Sequence, residues 1–241
     1  MRRFLLILAI LLGAPALVML GRALLMPSYQ VAVEPAPALA FDETTAIAHL
    51  SRALQFRTIS TPDQNALRTQ PFKDFHRFLE ATYPRVHANL EREVVNEFSL
   101  LYRWAGSDPE RAPMLLAGHI DVVPVDAGSE ADWEHPPFSG EVADGYVYGR
   151  GALDMKSVII AHLEAVEALL AEGFTPARTV YLAYGHDEEI GGGDGAAAIV
   201  DTLQERGVQC GFTLDEGLAI VEDLIPGVPG RVALVGLAEK G

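Results

Sequence analysis

Cysteine is almost missing from this 241-residue sequence: Cys210 is the only one. A single thiol cannot close an internal disulfide or build a Cys-rich zinc site, so it reads as a small apolar residue. Basic residues are scarce too. Lys and Arg total 18 against 33 Asp and Glu, for a formal charge of −15. Nothing in that balance would neutralise a phosphate backbone, which argues against nucleic acid as a partner. Acidity alone names no substrate, because most surface carboxylates are simply solvated. Histidine is absent after Glu189. Internal repeats are absent as well. What is plentiful is apolar material: at 49% hydrophobic residues, the chain has enough to bury one substantial core and the start of a second domain.

Residues 1–26 differ from the rest. Arg2 and Arg3 precede an uncharged run from Phe4 to Gly21, and Ala23 to Met26 continue it beyond Arg22. As a helix the segment is long enough to cross a hydrocarbon core of about 30 Å. The expectation is an uncleaved transmembrane signal anchor, with Arg2 and Arg3 cytoplasmic and the remainder outside the cytoplasm. The rival is a cleaved signal peptide, whose apolar region usually runs about 7–15 residues. Residues 27–40 hold three prolines and several alanines without helical or strand period, and read as a stalk.

The folded domain is expected over 41–241. Asp42 can cap a helix whose apolar positions Ile47, Leu50, Leu54 and Phe56 run to about Arg57. A second helix is predicted over Phe72–Thr82, a third over Met155–Glu172 with Gly173 as its stop, and a fourth over Gly195–Arg206. Short apolar runs bounded by breakers predict strands at Ser99–Trp104, Pro113–Gly118, Thr179–Tyr184 and Cys210–Leu214, with a further candidate at Arg231–Leu237. Strands alternating with helices imply an α/β fold with a mixed sheet and helices on both faces. In such sheets functional groups collect at the carboxyl ends of strands.

Four polar clusters occupy such places. His119 and Asp121 end the second strand and, at period two, point to the same side. A metal-bound imidazole needs a partner on its other nitrogen, and Asp121 is a natural candidate. Asp154 follows the loop Gly149-Arg150-Gly151; it is either a helix N-cap or a carboxylate able to bridge two cations. Asp187, Glu188 and Glu189 crowd the end of a third strand, where three mutually repelling acids make either a cation site or an exposed turn. Asp215-Glu216-Gly217 follows a fourth strand. One imidazole with several carboxylates is the donor set expected of Zn²⁺ or a similar divalent ion. Trp133 and Phe138 read as packing for the loop before Asp154, and Arg150 and Lys156 as partners for nearby carboxylates.

Taken together, these residues resemble a known family. His119-Ile-Asp121-Val-Val-Pro124, Trp133-x-x-x-Pro137-Phe138, Gly149-Arg-Gly-x-x-Asp154-x-Lys156 and Gly185-His-Asp-Glu188-Glu189 stand in the order and approximate spacing of M20 metallopeptidases. Leu214-Asp215-Glu-Gly217 and Glu239-Lys-Gly241 are similar to the carboxypeptidase S and PM20D branch. The resemblance covers roughly 42–241. It implies a zinc-dependent exopeptidase-like catalytic domain with two divalent ions, read as Zn²⁺. His119 and Asp215 would hold one ion and Glu189 the other, with Asp154 bridging. Asp121 would orient His119, and Glu188 would be the general base. The family draws a further ligand histidine and a lid domain from sequence beyond Gly241, so the chain is expected to be the N-terminal part.

The implied activity is hydrolysis of an amide bond next to a free carboxylate, in a peptide or an N-acyl amino acid. Two alternatives stay open: a deacylase of small N-acylated metabolites, and an inactive membrane-tethered metal-binding module.

Overall fold

The computed structural model describes residues 2–26, 41–63, 67–217, 220–234 and 236. The chain divides into two compact units, Met1–Ala38 and Leu39–Gly241. In the first, helix α1 runs over Arg2–Leu24. Among the described residues no helix is long and apolar enough to cross a membrane. The anchor expected over 1–26 finds no support among them; the side chains at 5–10 and 12, within its apolar run, lie outside the described ones. The stalk expected over 27–40 lies outside them altogether.

In the second unit, Asp42 caps α2 (Glu43–Ala53) by accepting the backbone N–H groups of Thr44 and Thr45. Helices α3 (Thr69–Thr82) and α4 (Pro84–Asn89) follow, then α5 (Lys156–Ala171) and α6 (Ala196–Glu205). Helix α2 ends at Ala53, short of the Arg57 suggested by its apolar spacing. The reason is tertiary. Lys156 is fully buried, and its Nζ donates to the carbonyls of Ala53 and Phe56 at 3.2 and 2.6 Å. A buried lysine thus adds a second donor to two carbonyls at the helix end, which also accept the Phe56 and Thr58 N–H groups. Burial, working against the charge of Asp121, pushes the Lys156 amine down to about 7.

Five strands form one mixed sheet in the order β1-β2-β6-β3-β7. They are β1 (Glu91–Val95), β2 (Ser99–Trp104), β3 (Met114–His119), β6 (Val180–Gly185) and β7 (Phe212–Leu214). Strands β1, β2 and β6 pair antiparallel, whereas β3 runs parallel to both β6 and β7. Strands β4 (Val142–Ala143) and β5 (Tyr146–Val147) make a small ribbon, and β8 (Ile220–Glu222) pairs with β9 (Arg231–Ala233) in another. The candidate strand at Arg231–Leu237 is therefore shorter than expected and outside the main sheet, with 235 and 237 beyond the described residues. Neither β1 nor α4 was legible in the sequence. Glu-Arg-Glu-Val-Val carries too little apolar alternation, and only Val95 of it is buried.

Strand β6 shows how the core splits. Val180, Leu182 and Tyr184 pack with Phe72, Phe75, Leu79, Ile159 and Leu163 from α3 and α5. Tyr181 and Ala183, on the alternate face, pack with Leu101 and with Ile199 and Leu203 of α6. Period-two alternation in a strand covered on both sides places helices on both faces, as the sequence implied. Glycine 173, at φ 74°, ends α5 with the left-handed turn expected of it.

Candidate metal centre

Three neighbouring parallel strands deliver the site. His119 is the last residue of β3 and pairs in register with Gly185, the last of β6. Glu188 and Glu189 follow Gly185 in a single 3-10 turn, closed by Gly191 at φ 110°. Asp215 and Glu216 follow β7 on the other side of β3. Asp154 arrives from the loop before α5, and the contact that seats it is local. Gly118 has no side chain, and a Cβ there would stand 2.9 Å from Met155 Cε. Met155 can therefore lie against the strand, where its sulfur accepts the His119 N–H at 3.3 Å. Asp154, one residue earlier, then faces the imidazole.

His119 is buried, and its two ring nitrogens have separate duties. Nδ1 lies 3.0 Å from the Asp121 carbonyl oxygen and 3.3 Å from Asp121 Oδ1. On its other side, Nε2 faces Asp154 Oδ1 at 2.9 Å, Glu216 Oε1 at 3.4 Å and Glu188 Oε2 at 3.8 Å. His119, Asp154 and Glu216 each offer one ligand atom, all within 4.8 Å of one another. One imidazole and two carboxylates suit a divalent ion of the Zn²⁺ type.

The electrostatics agree with that fit. Burial alone would lower the His119 pKa. Its hydrogen bond to Asp121, the charges of Asp121 and Glu216, and its hydrogen bond to Asp154 overcome this and carry it up to about 9. Burial pushes Glu216 up to about 7, opposed by His119 and reinforced by Asp154, Glu188 and Asp215. Burial and then the charge of Asp154 also raise Glu189. Acids that raise one another's affinity for protons are short of positive charge, which a bound cation would supply.

Asp121 is fully buried and does more than meet His119. Its Oδ1 accepts the Glu188 N–H and its Oδ2 the Glu189 N–H, both at 3.2 Å. Burial raises its pKa, but the hydrogen bond from His119, the His119 charge and the Glu189 N–H outweigh it and leave the carboxyl lowered. One carboxylate therefore fixes both the imidazole and the turn carrying Glu188 and Glu189. Asp187 braces that turn from behind, with Oδ2 accepting the Asp194 N–H at 2.8 Å.

Of the residues expected at the site, the structure brings together His119, Asp121, Asp154 and Glu188. Glu189 lies alongside but is not in the three-ligand group. Asp215 Oδ1 accepts the Glu216 N–H at 2.9 Å, and the carboxylate of Glu216 lies 3.4 Å from His119 Nε2. A choice between adjacent acids in Asp215-Glu216 leaves no mark in spacing, because it depends on how the chain turns after Leu214. Among the described residues neither Lys156 nor Arg150 forms an ion pair with a carboxylate, although the charge of Asp121 acts on Lys156. Lys156 binds two carbonyls, and Arg150 lies over the ring of Trp133 at 5.1 Å. A cavity of about 400 Å³ between α2 and α5, lined by Ile47, Leu50, Ile160 and Ala161 among others, includes none of the metal-centre residues.

Residues 115–228 match the model of peptidase family M20/M25/M40. A probable carboxypeptidase S-like 2 protein of Dictyostelium discoideum is 44% identical over 198 residues, which is 80% of this chain and 37% of that protein. The N-fatty-acyl-amino acid synthase/hydrolase PM20D1 of Xenopus tropicalis is 43% identical over 194 residues, again 80% of this chain and 37% of that protein. The chain thus spans little over a third of the length of these curated relatives. In fold it is similar to the M20 family metallo-carboxypeptidase Sso-CP2 of Sulfolobus solfataricus, with a TM-score of 0.57 at 22% identity over 75% of this chain and 38% of that one. Human carnosine dipeptidase 1 gives 0.56 at 21% identity over 78% of this chain and 43% of that one.

Proposed function

Because this chain belongs to the peptidase family M20/M25/M40, on the branch with carboxypeptidase S and PM20D1, we propose that it serves metal-dependent hydrolysis of an amide bond next to a free carboxylate. The substrate class is a peptide or an N-acyl amino acid. Relatives named as carboxypeptidases and as an N-fatty-acyl-amino acid synthase/hydrolase support it. The observation that carries the reading is the buried His119 Nε2 facing three carboxylates, from Asp154, Glu188 and Glu216.

His119, Asp154 and Glu216 would hold one divalent ion, with Glu216 in the role expected of Asp215. Asp154 and Glu189 would contribute to a second. When bound, such ions polarise an amide carbonyl and make water acidic enough to react at neutral pH. Glu188 takes a proton from the attacking water and delivers it to the leaving amine. Asp121 keeps His119 in one tautomer and holds Glu188 in place through its backbone N–H.

Metal content and turnover of variants test these roles. Glu216→Gln is expected to lose the tighter ion, whereas Asp215→Asn keeps it; the reverse pattern overturns the ligand assignment. Glu188→Gln should keep its metal and lose about 10²-fold or more in rate. Glu189→Gln should lose metal as well. A Glu188→Gln protein that retains most of its rate refutes the base.

Location rests on sequence alone. The uncharged run Phe4–Gly21 behind Arg2 and Arg3 supports a single-pass membrane protein with its catalytic part outside the cytoplasm. A reporter active only after export, fused behind Ala40, gives signal in that case and none if the chain stays cytoplasmic.

A further inference from the structure

Lys156 is fully buried at the first position of α5, two residues after Asp154. Among the described residues its amine forms no ion pair. It donates to the carbonyls of Ala53 and Phe56 and lies 5.1 Å from the centre of the Phe75 ring. Neither carbonyl needs it. The Ala53 oxygen also accepts the Phe56 N–H, and the Phe56 oxygen the Thr58 N–H. Taking an amine out of water is costly, and an unbranched apolar side chain could fill the same space against Phe75 without that cost. Packing and hydrogen-bond satisfaction leave the choice of lysine unexplained.

Its connections reach the metal centre from two sides. On one, the Lys156 N–H donates to the Gly151 carbonyl at 2.9 Å and closes the turn that carries Asp154. Gly151 fits between the lysine stem and Val122: a Cβ there would stand 3.4 Å from Lys156 Cδ and 2.9 Å from Val122 Cγ1. Asp154 then stands 2.9 Å from His119 Nε2. On the other side, the segment after α2 is bonded to the segment after His119. The Thr58 hydroxyl donates to the Ile120 carbonyl at 2.6 Å, and the Thr58 carbonyl accepts the Val122 N–H at 2.9 Å. Contacts thus close a circuit from His119 through residues 120–122, Thr58, Phe56 and Lys156 to Asp154, and back to the imidazole.

We propose that Lys156 is a positioning residue for the metal centre, tying the end of α2 to the turn that bears Asp154 and so holding that carboxylate against His119. This role rests on the reading of His119, Asp154 and Glu216 as metal ligands. The Asp154 side chain is 63% exposed, so its place depends on the backbone that carries it rather than on its own packing. Met155 seats that backbone on β3, and Lys156 seats it on the end of α2. A carboxylate that swings away presents its oxygen for only part of the time, and the ion binds more weakly by that fraction. Coupling between two places is reciprocal. A bound ion must therefore steady the end of α2, although none of the three ligands comes from it.

The test titrates the metal-free full chain with Co²⁺, whose visible absorption reports both occupancy and coordination geometry, and compares Lys156→Met. The variant should bind Co²⁺ about tenfold or more weakly, as expected when a group behind the ligands is lost. Its absorption at saturation should differ in shape from that of the wild type. The two metal-free proteins should unfold at similar denaturant concentrations, because the carbonyls keep their backbone donors. Saturating the wild type with Zn²⁺ should slow hydrogen exchange at the Phe56 and Thr58 amides by about the same tenfold. In Lys156→Met that slowing should vanish while it persists at the Glu188 and Glu189 amides. Equal Co²⁺ affinity in the two proteins overturns the tether. So does a loss of affinity matched by an equal loss of stability in the metal-free variant, which would make the lysine merely structural. Should Lys156→Met fail to fold, exchange in the wild type decides: no slowing at Phe56 and Thr58 under saturating Zn²⁺ refutes the tether alone. A wild type that binds neither ion overturns the ligand assignment and the tether with it.

Discussion

His76 sets a pH dependence that can be worked through from its surroundings. It lies on α3, 8% exposed, with Nε2 donating to the Phe98 carbonyl at 2.8 Å. The neutral ring already makes that bond, so a second proton gains no partner. Burial lowers its pKa first, the Phe98 carbonyl resists, and the charges of Arg92 and His186 lower it further, to about 4 from 6.5. Between those two values the unfolded chain takes up a proton that the folded chain refuses. Stability is therefore complete above pH 6.5 and is lost as the pH falls towards 4. At about 1.4 kcal/mol for each pKa unit, the loss is about 3 kcal/mol. That is a large share of a typical domain's total stability, roughly 5–15 kcal/mol. Other groups titrate in the same range, so the comparison must be differential. His76→Gln keeps an N–H for the Phe98 carbonyl but cannot be protonated. Urea unfolding of both proteins from pH 7.5 to 4 should show the wild type losing about 3 kcal/mol more than the variant. Parallel curves would refute the argument, as would a direct NMR titration of His76 giving a value near 6.5.

Three further outcomes follow. Asp121→Asn should speed hydrogen exchange at the Glu188 and Glu189 amides by about tenfold or more, the worth of one lost charged hydrogen bond; unchanged exchange means that Asp121 does not hold the turn. Leu182, fully buried between β2 and β3, should cost about 3 kcal/mol on mutation to Ala by denaturant unfolding, and a cost under about 1 kcal/mol would mean that this face repacks. Glu167 accepts the Arg85 and Val86 N–H groups at 3.1 and 2.9 Å, at the start of α4. Glu167→Ala should remove about 1 kcal/mol, with exchange at those two amides rising first; protection that persists there would show that α4 needs no cap from α5.

What the residues determine by themselves is periodicity and local chemistry. Ile159, Leu163 and Val166 recur at helical spacing and form the buried stripe of α5. Breaker-bounded apolar runs became β2, β3 and β6, and strand alternation with helices implied a mixed sheet covered on both faces. Polar clusters at strand ends marked His119 and the Glu188-Glu189 turn, and a glycine-rich loop before a helix marked Asp154, because functional groups of such sheets gather at the carboxyl ends of the strands. Tertiary structure decided matters that depend on residues far apart in sequence. A hundred residues separate Lys156 from Phe56, yet their hydrogen bond helps set where α2 ends. Asp121 clamps amides 67 and 68 positions away, which no local pattern records. The path of the chain after β7, which no spacing records, brings Glu216 within 3.4 Å of the His119 imidazole while Asp215 accepts the Glu216 N–H. Spacing marks where donors gather along the chain; only the packed sheet determines which oxygen comes within reach of the imidazole.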